Sequence, residues 1–330
     1  MNYRKFGKLG WNISEIGFGA WAIGGGWGPV DDKESVKALH KAIDLGVNFI
    51  DTAQGYGDGH SEKIIGGILK ERNEEIFVAT KVPPKPGFEW PPKNNADINK
   101  AFPVKYIIDE LHKSLKRLKR DYIDVYQFHT WAAKFNVEDA WYEALSKLKE
   151  EGKIRAIGVS VPDTKPDSII GSIEKGRIDS VQLIYNVFEQ YPNWNIFPVC
   201  ESHNVAVIVR VPFDEGALTG KYNLDTKFSE GDVRQHYFRG NNLKAVVGKV
   251  VDIKKYKDEK YPNYSMADFA LKFCLSNSTV STVIPGIRNI KQAEMNTSVS
   301  NGIYFSKEEL KEFEKFEWQK DFWFEEVKVS

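Results

Sequence analysis

The sequence predicts an α/β protein of the (β/α)8 barrel type. Short apolar runs rich in β-branched residues alternate with longer segments of helical period. The alternation is completed eight times in 330 residues. No linker, low-complexity tract or change of composition interrupts it, so residues 1–330 read as one domain. Strand–helix alternation predicts a parallel sheet with helices outside. Eight consecutive units suit a closed barrel better than an open doubly wound sheet.

"RKFGKLGWNIS" (4–14) reads as a hairpin with a Gly-containing turn, placed to plug the bottom of the barrel. "EIGFG" (15–19) reads as the first barrel strand, and "DDKESVKALHKAIDLG" (31–46) as its helix. Asp31 or Asp32 is the expected N-cap, Val36, Leu39, Ala42 and Ile43 the buried stripe, and Gly46 the stop. The later strands are "VNFID", "IFVATKV", "YIDVYQFH", "IRAIGVS", "DSVQLIYN", "VAVIVRVP" and "VSTVIPG", each followed by a helical segment. Two connections are long, 83–103 and 213–265, and "KAVVGKVVDIKKYKD" within the second predicts an extra helix. Long βα loops overhang the C-terminal face of a barrel, where active sites sit.

Composition excludes several classes. Lys plus Arg equals Asp plus Glu, 46 each, so no broad field for nucleic acid or anionic membrane is expected. Two distant cysteines, Cys200 and Cys274, make neither a disulfide framework nor a metal motif and fit a reducing compartment. No window approaches the roughly 18–20 apolar residues of a membrane helix, and no signal-like start is present. A cytoplasmic protein is expected. Oligomeric state is not specified, and a monomer is compatible. The six histidines show no HxH or HExxH spacing, which argues against a metal-dependent barrel hydrolase and for no metal site.

Asp51 ends the second strand, Lys81 the third and His129 the fourth, while Tyr56 lies just past the second in "DTAQGYGDGHSEKIIG". Parallel strands deliver their C-terminal ends to one face, so an acid, an amine, an imidazole and a phenol are expected on one rim. A free tyrosine titrates near 10, too high for efficient proton exchange at neutral pH. A neighbouring ammonium, here Lys81, is expected to lower that value, with Asp51 keeping the lysine charged and aimed. The set suits a tyrosine that protonates a carbonyl oxygen as hydride reaches its carbon. The glycines around Tyr56 supply the permissive backbone.

"FIDTAQGYGDGHSEKIIGGIL" resembles the signature of the aldo-keto reductase family, and "FVATKV", "YIDVYQFH", "IRAIGVS", "VQLIYN", "RVPFDEGALTGK" and "STVIPG" follow in that family's order. The resemblance covers nearly the whole chain and includes a subgroup with an RVPFDEG-type seventh strand. It implies a (β/α)8 barrel that reduces aldehydes and ketones with a nicotinamide cofactor, usually NADPH, with NAD as the lesser expectation. It implies Tyr56 as general acid, Lys81 and Asp51 as its tuning pair, and His129 as the group orienting the carbonyl. It also brings an alternative, a cofactor-bound regulatory subunit like the potassium-channel β subunits.

The resemblance implies further that Ser160 and Gln182 hold the nicotinamide carboxamide. Val161 stands where the family usually has Asn, and Arg210 where it often has a stacking aromatic. Pro212 follows, and "GALTGK", with Leu218, Gly220 and Lys221, is offered to the pyrophosphate. Gly286 precedes the last helix, whose N-terminus suits phosphate. Arg288 is the candidate for the 2′-phosphate of NADP, and Gln292 and Asn296 for the adenosine, although Met295 replaces the family's usual Glu. "GFGAWAIGGGWG" gives no GxGxxG frame and is assigned to a loop or turn. Of nine tryptophans, Trp21, Trp27, Trp90, Trp131 and Trp194 fall on connections expected around the mouth, and "FEWQKDFWFEE" is expected to fold over it. The first four predict an aromatic pocket for a small carbonyl or sugar-like substrate.

Overall fold

The computed structural model describes residues 1–327. Two short strands, β1 (Tyr3–Phe6) and β2 (Trp11–Ser14), pair antiparallel through a turn in which Gly10 takes φ +68°. Eight parallel strands follow: β3 (Phe18–Gly19), β4 (Phe49–Asp51), β5 (Phe77–Val82), β6 (Ile123–Phe128), β7 (Ile154–Ser160), β8 (Ser180–Ile184), β9 (Ala206–Arg210) and β10 (Val280–Val283). Each pairs with the next in chain order. The ring closes where Gly17 N and Gly19 N donate to Val283 O (2.8 Å) and Pro285 O (3.1 Å). The first barrel strand is shorter than expected. A Cβ at Gly19 would lie 2.6 Å from the Ile284 carbonyl oxygen, so the closing seam is set by backbone pressed on backbone.

The helices follow the predicted order. The first, Asp32–Asp44, is capped by Asp31, whose carboxylate accepts from Lys33 N, and ends before Gly46 at φ +92°. Its buried face is Ser35, Ala38, Leu39, Ala42 and Ile43, while Val36 sits on the flank. Ser265 and Asp268 form a reciprocal capping box at the start of helix Met266–Ser276. The predicted extra helix is present as Asn242–Lys260.

Period-2 alternation decides what enters the bore. Phe49, Phe77, Ala79, Val125, Ala156, Ala206 and Ile208 point inward and pack on Phe6 and Ile13 of the hairpin, which plugs the lower end as expected. Trp11 stacks on Phe77 at 5.1 Å, and Arg155 lies over Trp11 at 4.5 Å. Each buried ring there contributes roughly 1.5–3 kcal/mol. Two residues further along the same strands, the inward layer turns polar.

Candidate active site

That polar layer is Asp51, Lys81, Gln127 and Gln182, from β4, β5, β6 and β8, all buried. Lys81 Nζ donates to Asp51 Oδ2 (2.7 Å), to Thr52 O (2.8 Å) and to Tyr56 Oη (3.2 Å). Asp51 Oδ1 accepts from Gln182 Nε2 (2.6 Å) and from Gln127 Nε2 (3.3 Å). An ammonium has three donors and no acceptor. The lysine is therefore fully used, and Tyr56 is the acceptor in its bond to Lys81. The phenol's own proton is left free for the mouth. His129 follows β6, its ring 5.9 Å from the Tyr56 ring and edge-on to it. The four predicted residues are thus brought together.

Their charge states follow from the surroundings. Burial works against the Lys81 ammonium, but Asp51 and Tyr56 outweigh it and hold its pKa above the usual lysine value. Burial, with Lys81 and Arg210 nearby, pushes the His129 pKa well below the ordinary histidine range, so the imidazole is neutral. Tyr56 departs from expectation. Burial raises its pKa by more than Lys81 lowers it, so the phenol stays protonated. A protonated phenol is the form an acid catalyst needs before it acts.

The Tyr56 loop is braced rather than slack. Tyr56 N donates to Ala53 O (3.1 Å) and Gly59 N to Gln54 O (2.7 Å). Thr52 Oγ1 donates to Ser61 Oγ (2.9 Å), and Thr80 Oγ1 to the buried carboxylate of Glu62 (2.7 Å). Gly57 and Gly59 take φ +62° and +79°, so they serve bends.

Above this floor opens a cavity of about 1370 Å³, larger than most small-ligand pockets and roomy enough for a cofactor beside a substrate. Ser160, Gln182, Arg210, Pro212, Lys221, Gly286, Arg288, Gln292 and Asn296 line it. Gln182 gives one amide N–H to Asp51, so its other N–H and its oxygen remain for a ligand. Arg210 donates to Val161 O (2.9 Å) and to Asp163 Oδ1 (2.6 Å). Leu218 and Gly220 do not reach the wall. Leu218 packs into the core, and Gly220 ends the turn in a left-handed conformation (φ +73°) against Met266, while Gly216 and Thr219 face the mouth instead.

The donor set fits a phosphorylated dinucleotide. Lys221, Arg234 and Arg288 line one side of the mouth, and among the described residues neither Lys221 nor Arg288 has a carboxylate partner. Burial and the repulsion of Arg234 and Arg288 lower the Lys221 pKa, against the opposing pull of Asp232, which is paired with Arg234. The Asn296 Nδ2 is buried and has no hydrogen-bond partner among the described residues. Sequence reasoning missed Arg234, which lies in the long insertion with no periodic signal, and Asp163.

Two loops clasp over this side. Trp27 pairs with Asp232 in a β-bridge, Val233 N donates to Gly26 O (3.1 Å), and Trp27 Nε1 donates to Glu215 Oε2 (3.1 Å). A Cβ at Gly286 would lie 2.5 Å from the Trp27 ring. The turn beyond β9 holds three non-glycine residues at positive φ: Val211 (+55°), Asp214 (+47°) and Glu215 (+52°). Each costs about 1–3 kcal/mol and persists only where its surroundings fix it.

Of the predicted pocket tryptophans, Trp21 lies beside Tyr56 (ring centroids 6.4 Å) and Trp27 (5.6 Å), and Trp90 sits edge-on to His129 at 5.0 Å. Trp131 touches the cavity, yet its ring is fully buried among Phe128, Phe135 and Trp141, with Nε1 donating to Asn136. Trp194 is half-exposed and lies away from the mouth lining. The segment after Glu317 folds over the opening, and Asp321, Trp323 and Phe324 form part of its wall. No group of three or more His, Cys, Asp or Glu side chains suited to a metal occurs among the described residues. No described helix is long and apolar enough to cross a membrane.

Barrel, polar layer and cationic mouth together define a nicotinamide-dependent oxidoreductase of one family. Residues 15–317 match the aldo/keto reductase family, and the chain belongs to it. It is similar to the uncharacterized oxidoreductase YqkF of Bacillus subtilis (strain 168), with 32% identity over 315 residues, 94% of this chain and 95% of the relative. The NADH-specific methylglyoxal reductase of Escherichia coli (strain K12) is 30% identical over 304 residues, 88% of this chain and 90% of the relative. The glycerol dehydrogenase AKR11B4 from Gluconobacter oxydans superposes with a TM-score of 0.76 at 32% identity, covering 93% of this chain and 92% of the other.

Proposed function

We propose that the protein reduces a small, polar aldehyde or ketone with NADPH, or runs the reverse alcohol oxidation, with Tyr56 as general acid. The observation that carries this reading is the chain Asp51–Lys81–Tyr56, in which the lysine is exhausted as a donor and the phenol keeps its proton for the mouth. The nicotinamide, when bound, supplies or accepts the hydride.

Tyr56 donates its proton to the carbonyl oxygen, and Lys81 stabilises the phenolate that remains. Asp51, held by Gln127 and Gln182, keeps the ammonium charged and aimed. Neutral His129 offers its one N–H to the same oxygen, and its neutrality spares the site a second cation beside Lys81. Ser160, Gln182 and Arg210 would hold the nicotinamide end, and Lys221, Arg234 and Arg288 would take the phosphates. Trp21 and Trp90 flank the reacting oxygen's position, and relatives named for methylglyoxal and glycerol point to a compact, polar substrate.

Cofactor preference rests on Arg288, because one relative is NADH-specific by name and family membership does not decide it. The test is quenching of tryptophan fluorescence on titration with NADPH and, separately, NADH. NADPH is expected to bind at least about tenfold tighter, the low end of a charge-assisted contact. Equal affinities would remove Arg288 from the phosphate role, and binding of neither would overturn the reading.

A further inference from the structure

The strained turn 211–216 carries Gly216 on the mouth and leads into Thr219 and Lys221. Such a turn needs something to hold it. Val211 O accepts from Asn186 Nδ2 (3.0 Å), Glu215 O from Tyr222 Oη (2.8 Å), and the Glu215 carboxylate from Trp27. Asp214 is buried and does not line the mouth. Its Oδ1 accepts from Tyr237 Oη (2.9 Å) and meets Lys320 Nζ at 2.9 Å.

Lys320 comes from the segment that folds over the opening, and its side chain is 3% exposed. Its ammonium also lies 3.4 Å from Glu189 Oε1 and sits over the rings of Phe188 (4.8 Å), Trp318 (5.4 Å) and Phe322 (5.7 Å). Burial, against the pull of Lys320, pushes Glu189 up to about 7. One buried cation thus ties the Asp214 carboxylate to the segment whose Asp321, Trp323 and Phe324 wall the mouth.

We infer that Lys320 is a positioning residue for cofactor binding: its bond to Asp214 holds the left-handed turn that presents Gly216, Thr219 and Lys221 to the cofactor's phosphates. This rests on the proposed cofactor pose. The role is distinct from packing, because it acts through one strained backbone position.

Glycine at 214 would take φ +47° without strain, so that position would no longer need the latch, while Val211 and Glu215 keep their own holds from Asn186, Tyr222 and Trp27. The experiment measures NADPH dissociation constants by fluorescence quenching, and melting temperatures, for wild type, K320M, K320R, D214G and D214G/K320M. K320M is expected to raise the Kd at least about tenfold, in keeping with the loss of one partner of a buried pair, with kcat at saturating NADPH nearly unchanged. K320R should recover most of the affinity. In the D214G background, K320M should leave the Kd essentially unmoved.

A lower melting temperature with unchanged Kd in K320M would overturn the inference and leave Lys320 as a packing residue. So would an equal Kd change in both backgrounds. If K320M is too unstable to titrate, Asp214→Asn serves in its place, and unchanged NADPH binding there overturns the inference. Failure of the wild type to bind either nucleotide would instead overturn the functional reading itself.

Discussion

The two ends of the barrel use the same strands under opposite rules. At the lower end the inward side chains are apolar, ring packs on ring, and the hairpin seals the bore. At the upper end the next inward layer is charged and amide-bearing, three non-glycine residues hold left-handed backbone, and buried polar atoms such as Asn296 Nδ2 and Asp214 Oδ2 lack hydrogen-bond partners among the described residues. The lower end lowers the free energy of the fold. The upper end raises it locally and sets polar groups around the mouth. That division matches the general behaviour of such barrels, in which one face carries stability and the other chemistry.

The contrast can be broken from either side. Phe49→Ala, in the lower layer, should destabilise the fold by about 3–5 kcal/mol, read by denaturant unfolding, while nucleotide affinity of the folded fraction stays put. A large affinity change there would show that the ends are not separable. Tyr56→Phe should do the reverse: kcat falls at least about 100-fold, while melting temperature and NADPH binding change little. Near-normal turnover in that variant would sink the proposed acid.

The smallest effect expected concerns pH. Burial pushes Glu215 up to about 7 from an ordinary carboxylate value, so the folded state holds its proton where the unfolded chain has released it. The resulting stability is complete below about pH 4.5 and is lost as pH rises through about 7. Glu215→Gln should flatten that decline, with Glu189, also raised to about 7, supplying what remains. A wild type equally stable at pH 5 and pH 8 would contradict the burial of these carboxyls.

The sequence made the repeating parts legible. Period-2 strands fixed which residues face inward, and strand ends placed Asp51, Lys81 and His129 on one rim. What it hid were matters of depth and distance. Lys81 beside Tyr56 suggested a lowered phenol pKa, because charge proximity can be read from order along the chain while burial cannot. The sequence offers Leu218 and Gly220 to the pyrophosphate because a tight turn has no period from which to infer facing. Trp131 looked like a mouth residue from its loop, yet Phe128, Phe135 and Trp141 enclose its ring. The Lys320–Asp214 pair joins segments with no local signal linking them.

The bonds from Gln127 and Gln182 to Asp51 cross the bore, joining β4 to β6 and β8. They therefore act as a calliper set to the width of the barrel. A methyl group added at Gly158 would press on Gln127 Cγ and Ser180 Oγ, each 2.7 Å away, and would reach the phenol through Asp51 and Lys81 without touching it. Changes of volume inside the bore are in this sense changes of acidity at the rim, and any redesign of the lumen retunes the reaction above it.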